Sequence, residues 1–403
     1  MLEMFRRIYE SFISPPEVPK GENPLRFGVL GASDIAPMSL ILPAKTHPEV
    51  VIACVAARDR ARAEKYAKKH GIEGVHDTYQ DCIYIPLPNS YHYEWAIRAI
   101  KAGKHVLLEK PCTSNGPEAR RLFESPAVTA PNAPVLLEAF HYTFHPMWQT
   151  FMHLIHHDPL AGPVKSAASY FYIPRGYFRT DDIRFRGMLS DSRPVVENVE
   201  FRRISKSDHR DKEVEDLEQI DEAVTVTFRS KTGAVGRLDA DLCLASSFLG
   251  VKMPRMGWPK CVAELEEKDV SDAKGEKLGD GERHFVQRTV TLYNHIGPVI
   301  FHSIVVEDRH FIKRETTVVK SWTKKNTIKA YDWLDKSDGR PAGASWSTYR
   351  YQLEEFVNRV RGRKGTGVWV EHQSSMDQMA VLDDMYEKGG LKVRPSREID
   401  LVD

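Results

Sequence analysis

The sequence predicts a two-part α/β protein, in which a doubly wound parallel sheet is followed by an α+β domain with a large, mostly antiparallel open sheet. An apolar run that begins at Leu25 stops at Gly31 and is followed by residues with helical spacing. Apolar runs then alternate with helical segments as far as residue 146, which is the pattern of parallel strands joined by crossover helices. Beyond residue 146 the runs are β-rich and follow one another without helices, which is typical of antiparallel strands.

The opening element spans residues 25–42 and is predicted to form a strand, a tight turn and a helix. Gly31, Ser33 and Ala36 stand where the fingerprint G-x-G-x-x-G/A has its three small residues. Such residues permit the turn, the approach of a pyrophosphate to the backbone and close helix packing. The middle glycine is absent, and a surface turn between any strand and helix would look similar. The strands that follow favour a Rossmann dinucleotide-binding domain over residues 25–146.

The second strand, residues 50–57, ends at Arg58. In fingerprint proteins an acidic residue at this place binds the ribose hydroxyls of NAD, whereas an arginine accommodates the 2′-phosphate of NADP. The planar guanidinium suits a phosphate, and Arg60 or Arg62 is a candidate for a second contact. The alternative is an ordinary solvated helix start, with Asp59 as its N-cap.

Three further runs complete the parallel sheet, namely residues 82–87, 105–108 and 134–139. Each run is followed by polar residues. Open α/β sheets bind ligands at the carboxyl ends of their strands, so these polar residues are candidates for a binding site. The segments at these ends are Pro88-Asn89, Glu109-Lys110-Pro111 and the stretch that begins at His141.

The remaining chain is predicted to form a separate domain, residues 147–403. Five β-rich runs, 166–172, 223–228, 236–244, 286–293 and 300–306, indicate the antiparallel sheet, and helices are expected over residues 347–361 and 374–388. Methionines along the last helix are more typical of core filling than of a ligand surface. Residues 1–24 are interpreted as an extension that lies on the surface.

Composition excludes several classes of protein. The chain has 403 residues, 57 basic against 56 acidic, with a formal charge of +1, so no electrostatic argument favours nucleic acid or an anionic membrane. Five scattered cysteines show no spacing typical of zinc or of a disulfide framework. Together with the lack of a long apolar run or a signal-peptide pattern, this predicts a cytoplasmic protein with no metal site.

Five segments in order resemble one family. GASDIAP, AARDRARA, YIPLPNSYH, GKHVLLEKP and EAFHYTFHP are similar to segments of the Gfo/Idh/MocA oxidoreductases. The similarity is greatest to the branch that holds fungal NADP-dependent D-xylose 1-dehydrogenases and dimeric dihydrodiol dehydrogenases. It covers residues 25 to about 185 closely and the rest loosely.

The resemblance implies an active-site lysine, Lys110, beside the nicotinamide and the substrate, followed by a proline, Pro111, that is often cis. It also implies NADP in preference to NAD, a sugar or diol substrate and a homodimer. His92 matches a residue near the nicotinamide ribose, although it is equally suited to cap the next helix. The predicted cofactor-binding residues are Gly31, Ala32, Ser33, Ile35, Arg58, Pro88, Asn89, His92, Glu109, Lys110 and Pro111.

Two departures from the family pattern bear on function. Only Gln80 and Asp81 separate Tyr79 from Cys82, where the family usually has a helix and a loop. After residues 182–185 the chain continues with residues 186–191, RGMLSD, where the family has a glycine-rich segment and a helix that carries the proton-transfer group. The hypotheses are therefore an NADP-dependent dehydrogenase that oxidises an aldose such as D-xylose at C1, a dihydrodiol dehydrogenase, or a catalytically impaired dinucleotide-binding homologue. Tyr172 and Tyr177 are candidate substitutes for the missing group.

Overall fold

The computed structural model describes residues 2–75, 81–174, 194–203, 219, 221–248, 251–254, 257–272, 277–336 and 339–399. Within these ranges the chain forms two sheets, a six-stranded parallel sheet and a larger mixed sheet. No helix among the described residues is both long and apolar enough to cross a membrane.

The parallel sheet has the strand order β3-β2-β1-β4-β5-β6. Its strands are β1 Leu25–Leu30, β2 Val50–Ala56, β3 Gly74–Val75, β4 Cys82–Ile85, β5 His105–Leu108 and β6 Leu136–Glu138. The associated helices are α2 Leu42–Lys45, which continues a π-helical turn over Pro37–Ile41, α3 Arg60–His70, α4 His92–Lys101, α5 Gly116–Phe123, α6 Pro126–Thr129 and α7 Pro146–His156. This confirms the predicted Rossmann-like half. The sequence analysis missed β3, because two residues are too few to show a period.

The crossover from β3 to β4 is unusually short. The two strands lie three positions apart in the sheet, a separation of about 14 Å. Residues 76–81 connect them and can reach at most about 21 Å. An ordinary parallel crossover takes about a dozen residues or more. The short stretch before Cys82, noted in the sequence as a departure from the family pattern, therefore lies in the connection between β3 and β4.

The second sheet has the order β16-β15-β14-β12-β7-β10-β9-β8, with β11 paired to β10 and β13 to β14. Only β7 and β10 run parallel among its described neighbours. The strands are β7 Val164–Pro174, β8 Val195–Arg203, β9 Asp221–Arg229, β10 Val235–Phe248, β11 Val251–Pro254, β12 Lys260–Leu265, β13 Lys268–Asp269, β14 Glu282–Tyr293, β15 Ser303–Arg314 and β16 Thr317–Ile328. The expected large, mostly antiparallel sheet is confirmed.

One face of this sheet is covered and the other is open. Val290 and Leu292 pack on Phe151 of α7, while Val226 and Leu238 pack with residues of α4, α5 and α9 (His372–Lys388). Alternate residues on the other face are partly exposed along β12, β14 and β15. Period-two alternation therefore gives the sheet a second face, over which the described part of the chain places no layer of helices.

The two closing helices return to the parallel sheet. Phe356 of α8 (Thr348–Val360) lies 5.7 Å from the ring of Phe27 in β1. On α9, Met379 and Met385 are buried in the same cluster as Leu122 of α5, so the expectation that these methionines fill a core is confirmed.

The N-terminal residues fold as α1, Leu2–Ile8, and a π-helical turn over Tyr9–Ile13. Arg7 donates to the Val299 carbonyl at 3.2 Å and stacks its guanidinium 4.4 Å from the centre of the Tyr331 ring. The Ser11 hydroxyl donates to the Ser345 carbonyl. These contacts attach the segment to the chain ahead of α8.

Candidate active site

Strands β1, β2, β4, β5 and β6 run parallel, so their carboxyl ends lie at one edge of the sheet. The segments that follow these ends are the ones in which the sequence placed its site residues. The strands end at Leu30, Ala56, Ile85, Leu108 and Glu138. The structure therefore brings the glycine turn, Arg58, Asn89 and the Glu109-Lys110-Pro111 segment to a common edge.

The glycine turn requires its glycine. Gly31 has φ +98°, and a Cβ atom there would lie 3.0 Å from Cδ2 of Leu87. The Gly31 N–H donates to the Ala56 carbonyl at 2.6 Å, and the Ile35 N–H donates to Ser33 Oγ at 3.3 Å. A residue with a side chain would be strained in this backbone conformation and would fill the space beside the turn.

Two side chains of α3 hold this turn, and the sequence analysis did not give them this role. Nη2 of Arg62 donates to the Ala32 carbonyl at 2.9 Å, and the Tyr66 hydroxyl donates to the Ser33 carbonyl at 2.9 Å. Burial, assisted by the nearby Asp34, raises the pKa of Tyr66 to about 12, so the phenol stays a neutral donor. Pattern alone does not show which exposed-face residue of a helix returns to a preceding loop.

Arg58 lies exposed between β2 and α3. Within the part of the chain that the structure describes, it makes no hydrogen bond or ion pair. The other two arginines of the segment are engaged, Arg60 with Glu64 at 2.8 Å and Arg62 with the Ala32 carbonyl. Asp59 caps α3, since its carboxylate accepts from the Arg62 N–H at 3.1 Å. The N-cap that the sequence offered as the alternative is therefore present at Asp59, and Arg58 beside it has no partner among the described residues.

The loop after β4 is joined to the loop after β5 through His92. Pro88 is exposed, Asn89 is partly exposed and opens a 3₁₀ turn, whereas His92 is 1% exposed. The two ring nitrogens of His92 lie 2.7 Å from the carbonyl oxygens of Pro111 and Leu87. Burial lowers the pKa of His92, and these carbonyl contacts oppose the shift. His92 makes no side-chain cap on α4; it ties together the two loops that carry Asn89 and Lys110.

Glu109 and Lys110 form a nearly enclosed pair at the end of β5. Glu109 is 5% exposed, and its Oε2 accepts from the backbone N–H of Lys110 at 3.3 Å and lies 3.9 Å from Lys110 Nζ. The Lys110–Pro111 peptide is cis, as the family resemblance implied. A carboxylate and an ammonium therefore share the centre of the edge.

Ser39 and Tyr84 extend this pair into the protein, and both were missed because each lies within an apolar run. The Tyr84 hydroxyl donates to Glu109 Oε1 at 2.7 Å and lies 2.6 Å from Ser39 Oγ. Burial, and then the charge of Glu109, raises the pKa of Tyr84 well above its usual value. The signal available in the sequence was a tyrosine in a strand whose other residues are apolar.

A group of aromatic side chains lies beyond the end of β6. Leu108 pairs with Glu138, so His141, three residues on, follows the strand next to the one that carries Lys110. Its ring lies 4.0 Å from that of Tyr349, and its Nδ1 is 2.7 Å from Thr348 Oγ1. The sequence indicated a strand end here without a role for His141, and α8 supplied the partners from over 200 residues away.

Of the two proposed substitutes for the proton-transfer group, the structure describes only Tyr172, and it lies on the second sheet. Phe171 packs into the covered face of the second sheet, so Tyr172, its neighbour along β7, points to the open face. Burial, and then Asp239, raises the pKa of Tyr172 to about 12. Tyr177 and residues 182–191 lie outside the described residues.

The fold and this edge define an α/β protein of the dinucleotide-binding class with an appended open-sheet domain. Residues 25–128 match the sequence profile of the Gfo/Idh/MocA oxidoreductase family, NAD-binding Rossmann fold. Over these residues the match confirms the resemblance that the sequence predicted.

Two curated relatives process sugars. A dTDP-3,4-didehydro-2,6-dideoxy-alpha-D-glucose 3-reductase of Actinomadura kijaniata is 34% identical over 165 residues, 39% of this chain and 48% of the relative. A D-xylose 1-dehydrogenase (NADP(+)) of Haloferax volcanii is 37% identical over 173 residues, 40% of this chain and 50% of the relative. The chain thus aligns with about half the length of the curated relatives it matches.

The fold is shared more widely than the sequence. A crystal structure of a 3-ketoreductase from Actinomadura kijaniata, in complex with NADP and TDP-benzene, superposes with a TM-score of 0.57. The superposition covers 91% of this chain and 98% of that chain at 20% identity. At this identity the likeness establishes the architecture of both sheets.

Proposed function

We propose that the protein binds NADP and exchanges hydride between it and a hydroxyl-bearing carbon of a sugar. The observation that carries this proposal is the edge of the parallel sheet, where the Glu109–Lys110 pair follows β5 and the glycine turn follows β1. The names of the relatives support it, since one acts on D-xylose with NADP(+) and the other on a deoxysugar nucleotide.

The residues at the edge suit a dinucleotide. The space beside Gly31, which a Cβ would narrow against Leu87, admits a pyrophosphate close to the backbone. Arg58 is available for the 2′-phosphate, because its neighbours Arg60 and Arg62 have other partners. Ala32, Ser33, Ile35, Pro88 and Asn89 would line the same path, while His92 and Pro111 would hold the loops in place.

The chemistry divides between cofactor and chain. When bound, the nicotinamide supplies the hydride acceptor. Oxidation of an aldopyranose at C1 to the lactone breaks the C1–H bond, whose electron pair leaves with the hydrogen, and the O–H bond, whose proton passes to the protein or to water. Lys110 is assigned to bind and orient the reacting hydroxyl and to help relay that proton, with Glu109 as its partner. D-Xylose or a similar aldose is the proposed substrate.

Two alternatives rest on the same edge. A trans-dihydrodiol would present a comparable hydroxyl to Lys110, and the difference between the substrates would depend on the pocket lining. The second alternative is a protein that binds NADP without turnover, because the sequence at residues 186–191 lacks the family's proton-transfer segment.

The deciding experiment measures NADPH formation by the purified protein across a panel of aldoses and trans-dihydrodiols, alongside NADP binding. Turnover restricted to aldoses supports the proposal, and turnover restricted to diols replaces the sugar by the diol. Tight NADP binding with no turnover on either group of substrates would establish the impaired homologue. Absence of NADP binding would remove the proposal altogether.

A further inference from the structure

A row of buried hydrogen bonds runs from the helix after the glycine turn to Lys110. Ser39 and Tyr84 are 1% and 0% exposed, and their oxygens lie 2.6 Å apart. The row continues from Tyr84 to Glu109 Oε1 at 2.7 Å and from Glu109 Oε2 to the backbone N–H of Lys110 at 3.3 Å. It joins the π-helical turn over Pro37–Ile41, β4 and the end of β5 through buried side chains.

Counting hydrogens gives the row a direction. Ser39 and Tyr84 each have one hydroxyl hydrogen, and an ionised carboxylate can only accept. The Ile35 carbonyl, 2.9 Å from Ser39 Oγ, already accepts from the backbone N–H of Ser39 at 3.0 Å. When Glu109 is ionised, Tyr84 donates to it and Ser39 donates to Tyr84, so each oxygen in the row has a partner.

A protonated Glu109 would reverse the row. Its hydroxyl would then donate to Tyr84, Tyr84 to Ser39 and Ser39 to the Ile35 carbonyl. Two features favour the ionised arrangement, namely the second donor at Oε2 and the Lys110 ammonium 3.9 Å away. The charge on Glu109 is thus supported by Tyr84 on one oxygen and by Lys110 on the other.

The other titratable groups around Glu109 come from two further elements. His92 of α4 interacts electrostatically with both Glu109 and Lys110. Tyr349 of α8 interacts with Tyr84. Because neither of these supplies a hydrogen bond to Glu109 within the described chain, Tyr84 is the neutral donor on which the buried carboxylate depends.

We propose that Tyr84 is a positioning residue, which keeps Glu109 anionic and thereby holds the Lys110 ammonium in place at the end of β5. The catalytic consequence of this proposal rests on the proposed function, but its effect on Glu109 does not. When a buried carboxylate loses one hydrogen bond of this kind, its pKa rises by about one unit.

The first test needs no activity. Urea unfolding of the cofactor-free protein is followed from pH 4.5 to pH 8 for the wild type and for Tyr84→Phe. We expect the loss in the folding equilibrium constant caused by Tyr84→Phe to be larger at pH 8 than at pH 4.5, because the phenol donates to the ionised carboxylate and not to the protonated one. In a Glu109→Gln background the same substitution should show no such growth.

Tyr351→Phe is the matched control. Tyr351 is 1% exposed like Tyr84, but its phenol bonds to the backbone of Gly343, at 3.2 Å from the N–H and 3.3 Å from the carbonyl. The loss in the folding equilibrium constant caused by Tyr351→Phe should be the same at both ends of the pH range. If Tyr84→Phe behaves like Tyr351→Phe, the phenol has a merely structural role and the proposal is overturned.

The second test uses turnover. The acid limb of the kcat/KM profile should move to higher pH by about one unit in Tyr84→Phe, with NADP affinity at pH 8 changed by less than about threefold. A profile that superposes on that of the wild type would overturn the inference while the proposed function stands. If the wild type shows no turnover, the proposed function fails and the urea experiment still decides the inference. Should Tyr84→Phe not fold, Ser39→Ala is expected to shift the same limb in the same direction by a smaller amount.

Discussion

Lys110 is the residue on which the proposed chemistry depends, and its side chain is only 9% exposed beside Glu109. We predict that Lys110→Met leaves NADP affinity nearly unchanged and lowers turnover by about 10² to 10⁴, the usual range for a positioned acid–base group. Titration with NADP and steady-state kinetics measure the two effects. Lys231→Met, an exposed lysine in the turn between β9 and β10, is the control. Full activity in Lys110→Met would remove the site assignment.

Arg58 differs from its neighbours because the fold gives it no partner among the described residues. We predict that the wild type binds NADP more tightly than NAD and that Arg58→Asp abolishes the preference. One charge-assisted phosphate contact contributes about 1.5–3 kcal/mol, which is about one to two decades in Kd. Arg60→Asp changes the charge equally two residues away, where Arg60 pairs with Glu64, and should keep the preference. Equal affinity of the wild type for the two cofactors would contradict the assignment.

At the scale of the element, the contact between β9 and α9 carries a buried acid. Asp221 is 5% exposed, and its Oδ1 is 3.4 Å from the Tyr386 hydroxyl. Burial raises the pKa of Asp221 to about 6, against the opposing effects of its backbone, Tyr386 and Arg394. Because the folded state holds this proton more tightly than the unfolded state, Asp221 reduces stability as the pH rises from about 4 to 6 and by a constant amount above that.

We therefore predict that Asp221→Asn, which cannot ionise, gains stability relative to the wild type as the pH rises. A difference of two pKa units corresponds to about 3 kcal/mol at pH 7, falling to near zero at pH 4. Urea unfolding at the two pH values measures it, with the exposed Asp272→Asn as the control. A stability difference that is the same at both pH values would show that the folded protein does not raise the pKa of Asp221.

At the scale of the whole molecule, the open face of the second sheet is a large surface with apolar residues at its centre. Val262 pairs with Ala168 on one side and with Thr291 on the other, and all three point away from the covered face. A broad sheet with no helix layer tends to be covered by another copy. We predict a homodimer formed through this face.

Sedimentation velocity at micromolar concentration tests this prediction. The wild type should sediment as a dimer, and Val262→Glu should sediment as a monomer, because a twofold interface would bury two carboxylates without partners. Val319→Glu makes the same substitution on the edge strand β16, where Val319 is 54% exposed, and should leave the dimer intact. A monomeric wild type would refute the prediction.

The two-sheet architecture could be predicted from the sequence alone, because the signals for it are local. Near residue 146 the pattern changes from strands that alternate with helices to strands that follow one another. The first four parallel strands predicted from the sequence are each followed by a glycine, a proline or a charged residue. That Gly31, Arg58, Asn89 and Lys110 share one edge followed from the rule that the ends of parallel strands meet there, whereas the role expected of Lys110 came from the family resemblance. Short strands such as β3 carry too few residues for a periodic signal and were missed.

The contacts of the side chains at this edge became known from the folded structure. Arg62 binds a carbonyl of the glycine turn, His92 joins two loops, and Tyr172 faces the open side of the second sheet. Tyr84 lies in an apolar strand, and its role depends on Glu109, which is 25 residues away. Such contacts join residues that are distant in the chain, and local periodicity contains no information about which of them meet.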